Sequence, residues 1–206
     1  MVSAYDRVRR LVLDGEVGHE RPVAEVPLAS QLGVSRPTVR EALRRLEGEG
    51  LLRSDGRRLR VVDLDGAELA GALRMRAALE ELHAELAAER VSAGHVAQAQ
   101  IWDLEEKAAV TAAATAAGDH DEAGRLNREF HRAVNLLAAN PVSFDALELL
   151  WDQVLLSTGR SLAPPDRAAA VDREHSELLD AIKSGDGARA GKLARAHVLA
   201  TLSVLS

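Results

Sequence analysis

The sequence contains no cysteine, few aromatic residues and no long apolar run. Without cysteine the chain can form neither a disulfide nor a thiolate metal site, which fits a reducing compartment. No stretch approaches the roughly 20 apolar residues that span a bilayer. The N-terminal segment MVSAYDRVRR also lacks the apolar core of a signal peptide. These absences predict a soluble, cytoplasmic protein with no membrane partner.

Aromatic residues make up 2% of the 206 residues, and there are six prolines. With so few aromatic side chains, the core must be built from leucine, valine and alanine, and few prolines allow long, alanine-rich helices. The length suffices for one medium domain or two small ones, each with a core of its own.

The net charge of −6 argues against a nucleic-acid partner until its distribution is considered. Residues 1–62 contain 12 Lys and Arg against 9 Asp and Glu, a charge of +3, whereas the remaining residues contain 14 against 23, a charge of −9. A basic first segment followed by an acidic remainder predicts two domains with different partners, at residues 1–62 and 63–206.

The first segment contains helix signals separated by a tight turn. The sequence PLASQLG predicts a short helix that ends at Gly33, and Ser35 predicts the N-cap of the next helix. Two short β-prone runs then flank Asp55-Gly56, a dipeptide typical of hairpin turns. Helix, turn, helix and hairpin in this order predict a winged helix-turn-helix that binds double-stranded DNA.

The helix after the turn begins with residues suited to contacts with DNA. Arg36, Thr38 and Arg40 lie at its N-terminal end, the part that enters a major groove in such folds. Arginine donates two hydrogen bonds to guanine or binds a phosphate, and threonine reaches a phosphate or a thymine methyl group. The alternative is a solvated, arginine-rich helix face. The coincidence of cap, glycine turn, hairpin and local positive charge favours DNA binding.

From Gly66 onward the sequence has helical periodicity only. Its breaks predict six helices, at about residues 66–91, 94–117, 119–138, 141–161, 166–184 and 186–204. Short connections between them imply antiparallel neighbours. The chain is therefore predicted to be mainly α, with an N-terminal winged helix-turn-helix followed by an all-α antiparallel helical bundle.

Three histidines lie on the predicted inward faces of three different helices. His131, His175 and His197 each align with an apolar stripe, and Asn127 shares the face of His131. A single inward histidine is usually a core residue. Three favour a metal site, because imidazole is the commonest metal ligand and facing helices of a bundle build such sites. The other histidines are predicted to lie at the surface: His19, His83, His95 and His120.

The segment LGVSRPTVREALRRLEGEGLL resembles the recognition segment of GntR-family bacterial transcription regulators. The resemblance implies that Arg36, Thr38 and Arg40 contact DNA and that the wing glycine is Gly56. The chain departs from the family at Val26, where many relatives have an arginine. The wing, DGRRLRV, also lacks a second glycine that is common in relatives.

The bundle resembles the FCD effector domain of the FadR-like branch of that family, through LRMRAALEELHAELAAERVS, LNREFHRAV, REHSELLDAI and RAHVL. Six helices, rather than seven, are similar to the VanR-type subgroup. Members of this domain often bind a divalent metal through an aspartate and three histidines. The matching positions here are Asn127, His131, His175 and His197.

Asn127 stands where relatives commonly carry the aspartate. An amide oxygen can coordinate a divalent ion but supplies no charge. The ion's double charge would stay uncompensated by the protein ligands, so an anionic effector gains more by completing the shell. The sequence predicts weaker or more effector-dependent metal binding, and three imidazoles suit zinc or nickel better than magnesium.

The resemblance also implies a small organic acid as effector, bound against the metal and held by arginines. Arg76 matches the arginine that such domains use in the first bundle helix, and Arg160 is a second candidate. Asn135, one turn beyond His131, is a third candidate for the pocket lining. The alternative for Arg76 is a solvated i,i+4 pair with Glu80.

In that family a homodimer binds a palindromic operator with its recognition helices about one helical turn apart. Repression relieved by the acid is the commonest sense of regulation. We therefore predict a repressor whose operator affinity the effector changes by a coupling free energy of about 1–3 kcal/mol.

Two alternatives stay open. In the first, the bundle is a metal-free sensing or dimerisation module, and Asn127 marks a lost metal site. In the second, more remote one, three histidines with an open coordination position form a metalloenzyme that activates water. The DNA-binding segment argues against an enzyme, and no general base is predicted beside the histidines, since Glu129 faces away from His131.

Overall fold

The computed structural model describes residues 2–18, 22–56, 58–158 and 168–202. The chain divides into two compact units. The first contains residues 1–65 and Trp151–Ser157, and the second contains Gly66–Leu150 and residues 158–206. The predicted domain boundary between residues 62 and 63 stays a prediction.

The first unit begins with three helices, α1 (Ala4–Leu13), α2 (Glu25–Leu32) and α3 (Arg36–Gly48). Ser3 caps α1 in a capping box, because its hydroxyl accepts from the backbone N–H of Asp6 at 3.1 Å while its own N–H donates to the Asp6 carboxylate at 3.2 Å. Gly33 ends α2 in the left-handed conformation with φ of +63°, which glycine adopts without strain. These local signals produce the predicted helix-turn-helix.

A β-hairpin follows, formed by β1 (Leu52–Asp55) and β2 (Arg58–Val61). The strands are antiparallel, with Leu52 opposite Val61 and Asp55 opposite Arg58. The predicted Asp55-Gly56 turn is confirmed. Val23 adds a short bridge that no sequence pattern predicted, since its N–H donates to the carbonyl of Leu59 at 2.7 Å.

In the described part of the chain, six helices follow the hairpin: α4 (Gly66–Ser92), α5 (Gln98–Ala116), α6 (His120–Leu137), α7 (Pro141–Thr158), α8 (Ala168–Lys183) and α9 (Gly187–Leu202). Their order confirms the predicted mainly α fold. The predicted start of α5 at residue 94 is wrong. Gly94 has a φ of +71°, and the N–H of His95 bonds the carbonyl of Arg90 at 2.9 Å, so this segment closes α4 instead.

In the second unit, α4 packs against α6, α8 and α9, and α5 packs against α6 and α8. Small residues permit a close approach of α4 and α9, since a Cβ added to Gly191 would lie 2.5 Å from Cγ of Glu85. The buried core between the helices is rich in alanine and includes the aromatic side chain of Phe130. Among the described residues, no helix is both long and apolar enough to cross a membrane.

Candidate functional site

The N-terminal end of α3 presents polar side chains to solvent. Ser35 accepts a hydrogen bond from the backbone N–H of Thr38 at 3.3 Å, and its hydroxyl lies 2.7 Å from the Thr38 hydroxyl. Arg36, Thr38 and Arg40 are exposed, whereas Val39 is fully buried. The cap and the buried valine together fix the direction in which the three polar side chains leave the helix.

Arg40 is bound by Glu25 of α2, a contact that sequence reasoning missed. The guanidinium donates from Nε to Oε1 at 2.7 Å and from Nη2 to Oε2 at 2.8 Å. Nη2 of Arg36 lies 3.9 Å from the same carboxylate. The hydrogen bonds from Arg40 lower the pKa of Glu25 below its ordinary value. Glu25 therefore holds Arg40, one of the predicted DNA-contacting residues, in one orientation.

Gly56 lies at the turn between β1 and β2, with φ of +63° and no atom within 4 Å of the position of an added Cβ. An open, side-chain-free turn leaves room for a nucleic-acid backbone. Val26, which replaces the arginine common in relatives, is 57% exposed. The position therefore faces solvent but offers no charge to DNA.

The structure brings three predicted metal ligands together inside the bundle. His131 of α6, His175 of α8 and His197 of α9 are 1%, 2% and 5% exposed. Each histidine contributes one ring nitrogen, and these three nitrogen atoms all lie within 4.8 Å of one another. Nε2 of His131 and Nε2 of His197 are 3.1 Å apart. Three helices that are distant in sequence thus converge on one cluster.

A phenyl ring supports this cluster from the apolar core. Phe130 is fully buried and stacks on the His175 ring, with centroids 4.4 Å apart and an interplanar angle of 30°. It meets His131 edge to face at 5.4 Å. Because aromatic pairs in these arrangements are favourable beyond the area that they bury, Phe130 restricts the orientation of two rings.

Carboxylates contact two of the rings at Nδ1. Oε2 of Glu80 lies 2.8 Å from Nδ1 of His131, and Oε2 of Glu174 lies 2.7 Å from Nδ1 of His197. An ionised carboxylate only accepts hydrogen bonds, so each Nδ1 donates to its glutamate, and the other ring nitrogen, Nε2, faces the cluster. Neither glutamate was predicted as part of the site.

The electrostatics of the cluster favour a shared cation. Burial lowers the pKa of His197 to about 4, although the hydrogen bond to Glu174 opposes this shift. The ring is therefore neutral at neutral pH. Because carboxylates contact both rings at Nδ1, the two Nε2 atoms face each other at 3.1 Å. A positive ion between them would be bound by both nitrogen atoms.

The distances and donor types also fit a divalent ion. Two nitrogen ligands at about 2.0–2.1 Å from one ion stand roughly 2.9–3.4 Å apart for coordination angles of about 90–110°, which includes the observed 3.1 Å. Asn127, one turn before His131, has a buried Oδ1 that accepts no hydrogen bond from the described residues. An amide oxygen without a donor is a suitable further ligand.

Arg76 and Glu80 form the expected i,i+4 pair, but the pair is buried rather than solvated. Nε of Arg76 donates to Oε1 of Glu80 at 2.6 Å, and the side chains are 3% and 2% exposed. Burial alone would raise the pKa of Glu80, but the charge of Arg76 and the contact with His131 hold that pKa well below its ordinary value. Glu80 therefore links the predicted effector arginine to a predicted metal ligand.

The predicted surface position of His83 is wrong. His83 is fully buried on the same face of α4 as Glu80, and its Nε2 lies 2.6 Å from the hydroxyl of Ser143. The neighbouring glutamates in sequence misled the prediction, because α4 contacts other helices over much of its circumference. Burial lowers the pKa of His83.

The remaining predicted residues have different environments. Asn135 is 2% exposed, and its Nδ2 makes no hydrogen bond with the described part of the chain. His95 and His120 are exposed, as predicted. Arg160 and His19 lie outside the described residues.

A winged helix-turn-helix followed by an all-α bundle with a buried histidine cluster defines a two-part DNA-binding transcription regulator. Comparison with known proteins is consistent with this class. Residues 2–61 match the gntR family of bacterial regulatory proteins, and residues 72–200 match the FCD domain.

Two relatives are similar to this chain over most of its length. The probable D-xylose utilization operon transcriptional repressor of Paenarthrobacter nicotinovorans is 31% identical, over 93% of this chain and 82% of the relative. The putative L-lactate dehydrogenase operon regulatory protein of Escherichia coli (strain K12) is 30% identical, over 94% of this chain and 81% of the relative. Among solved structures, E. coli McbR/YncC has the same fold, with a TM-score of 0.80, 24% identity and coverage of 100% of this chain and 98% of that one.

The chain belongs to the GntR family of bacterial transcription regulators and carries an FCD domain. It is a DNA-binding transcription regulator rather than an enzyme. The predicted family and the absence of an enzymatic role are thereby confirmed.

Proposed function

We propose that the protein is a homodimeric repressor that binds a palindromic operator through Arg36, Thr38, Arg40 and Gly56. The exposure of the three α3 side chains and the open turn at Gly56 support this assignment. Two recognition helices related by a twofold axis would meet half-sites about one helical turn apart. One relative is described as an operon repressor, which supports the sense of regulation.

The bundle is proposed to hold a divalent metal ion, zinc or nickel, through His131, His175, His197 and Asn127. The single observation that carries this proposal is the convergence of Nε2 of His131 and Nε2 of His197 at 3.1 Å within a buried three-histidine cluster. A bound ion would supply a positive anchor for an anionic effector. The chain's own residues orient the ligands, exclude water through burial and leave the remaining coordination positions to that effector.

The effector is proposed to be a small organic acid. Asn135 supports a polar pocket, because its buried amide nitrogen lacks an acceptor among the described residues. Arg76 is proposed to assist as a nearby positive charge, although Glu80 occupies part of its guanidinium. Arg160 remains a candidate from the sequence alone.

The metal-free alternative requires the same cluster to be stable without an ion. One Nε2 would then donate a hydrogen bond to the other across the 3.1 Å between them. The amide oxygen of Asn127, which is buried beside the cluster without a hydrogen-bond donor among the described residues, supports the metal-holding bundle instead.

DNA binding is tested by measuring the affinity for operator and random duplexes at several salt concentrations. We expect affinity to fall steeply with salt, and Arg40→Ala to weaken operator binding by roughly 5–150-fold with little effect on random DNA. Glu129→Ala, in the bundle, is the matched control. An Arg40→Ala protein with wild-type operator affinity would exclude α3 as the reading helix.

The sensing function is tested by a thermal-shift screen of organic acids with and without zinc. A ligand that binds only the native state raises its melting temperature. We expect at least one acid to raise it only when zinc is present. Acids that act equally with zinc and with chelator would support the metal-free sensor instead.

A further inference from the structure

Two carboxylates contact the predicted metal ligands on the side away from the shared nitrogen atoms. We propose that Glu80 and Glu174 are positioning residues of the metal site, which hold Nε2 of His131 and His197 toward one ion and supply the negative charge that Asn127 does not. This inference rests on the proposed metal site and extends it to two residues that would not touch the ion.

The first role is the choice of tautomer. An imidazole that carries its proton on Nε2 cannot use that nitrogen as a ligand. The contacts of 2.8 Å from Glu80 to His131 and 2.7 Å from Glu174 to His197 stabilise the proton on Nδ1 in both rings. A carboxylate in this position also raises the basicity of the ligand and fixes the ring orientation. Nε2 of each ring therefore faces inward before any ion arrives.

The second role is charge compensation. Three neutral imidazoles and the amide of Asn127 contribute no charge against a divalent ion. Glu80 and Glu174 contribute two negative charges one hydrogen bond further out, and Arg76, 2.6 Å from Glu80, returns one positive charge. Together with the divalent ion, these three side chains have a net charge of +1. A single carboxylate of an effector would neutralise it.

The two glutamates differ in their surroundings. The Glu80 side chain is 2% exposed and contacts both Arg76 and His131, whereas the Glu174 side chain is 29% exposed. Removal of an outer carboxylate typically weakens metal binding by about 10–100-fold. Because solvent screens Glu174, we expect Glu80→Gln near the upper end of that range and Glu174→Gln near tenfold.

The test uses the full chain, with zinc alone as the metal probe and no effector. Zinc affinity is measured by competition with a chelating dye for wild type, Glu80→Gln and Glu174→Gln. Glu81→Gln and Glu177→Gln are matched controls, because Glu81 lies beside Glu80 and pairs with Arg195 on the surface, and Glu177 is an exposed residue of α8. We expect both controls to keep wild-type affinity.

A second measurement reads the tautomers without metal. Long-range ¹H–¹⁵N NMR of the chelator-treated protein should show His131 and His197 protonated at Nδ1, and Glu174→Gln should shift His197 toward a mixture of tautomers. Nε2-protonated rings in the wild type would overturn the inference, as would wild-type zinc affinity in Glu174→Gln. If Glu80→Gln fails to fold, Glu174→Gln and the wild-type spectrum still decide the question.

The two measurements also separate this inference from the proposed function. A wild-type protein that binds no zinc contradicts the metal site. The tautomers of the metal-free protein still test whether Glu80 and Glu174 orient the rings. Zinc binding that is unaffected by either glutamate contradicts the inference alone.

Discussion

Replacement of Asn127 by aspartate should make the protein less stable without metal and more strongly stabilised with it. The buried Oδ1 of Asn127 accepts no hydrogen bond from the described residues. In Asn127→Asp this atom becomes part of a carboxylate that is buried beside the histidine rings. Because the amide oxygen is already unsatisfied in the wild type, the loss comes from the added charge: an unsatisfied buried polar group costs about 1–3 kcal/mol, and a charged one costs more. In a chain of this length, each kcal/mol lowers the melting temperature by roughly 2–4 °C.

Zinc should reverse part of this loss. A carboxylate is a stronger donor than an amide and brings a negative charge, so we expect at least tenfold tighter binding, about 1.4 kcal/mol. At a zinc concentration of about 100 times the wild-type Kd, the wild type gains about 2.7 kcal/mol and the variant about 4.1 kcal/mol. The melting temperature of the variant should therefore rise by several degrees more than that of the wild type.

The assay is thermal denaturation followed by circular dichroism at pH 8, in chelator and in zinc, with direct zinc titration of both proteins. The variant should also depend less on an added organic acid, because its carboxylate supplies the charge that the acid supplies in the wild type. Equal zinc affinity in the two proteins would refute the assignment of Asn127 as a ligand.

Three further perturbations test other parts of the account. Glu25→Gln frees Arg40 from its carboxylate partner, so the affinity for random DNA should rise. In fluorescence anisotropy, the slope of the logarithm of the binding constant against the logarithm of the salt concentration should steepen by about 0.9. An unchanged slope would contradict this. Phe130→Leu removes the ring that stacks on His175. In chelator, this should lower the free energy of unfolding by about 1–2 kcal/mol, and zinc binding should weaken. A melting temperature equal to that of the wild type would show that the contact contributes nothing. Burial lowers the pKa of His83 from 6.5, so the folded state resists protonation of this ring. The contribution of His83 to the free energy of unfolding is therefore fully present above pH 6.5 and is lost as the pH falls below it. His83→Asn should lose less stability than the wild type between pH 6.5 and 5 in thermal melts, and parallel curves would exclude this contribution.

Local sequence signals were sufficient for most of the fold. Gly33 and Ser35 mark the tight turn because one adopts a positive φ and the other caps a helix. Asp55-Gly56 marks the hairpin for a similar reason. The start of α5 was predicted too early because Gly94 and His95 continue the hydrogen-bonding pattern that ends α4. Such an ending depends on backbone geometry more than on residue type.

The site was predictable where periodicity identifies a buried face. Leu73, Ala77, Ala84 and Ala87 form an apolar stripe on α4, and Glu80 occupies a position within the same spacing. This signal could have identified Glu80 as buried. The sequence instead suggested a solvated pair of Arg76 and Glu80, because i,i+4 pairs of arginine and glutamate commonly lie at the surface.

The other missed contacts depend on packing between helices. Glu174 reaches His197 only because α8 lies beside α9, and Glu25 reaches Arg40 only because α2 packs on α3. No spacing within one helix encodes either pair. A sequence identifies candidate ligands more readily than the groups that orient them.

Metal content tests the central claim most directly. The wild type, purified without chelator and dialysed after exposure to zinc, should retain about one zinc ion per chain, as a three-histidine site implies. A His131→Ala/His175→Ala double variant should retain almost none, while a double variant of the exposed histidines, His95→Ala/His120→Ala, should match the wild type. Equal zinc in the His131→Ala/His175→Ala protein and the wild type would contradict the account.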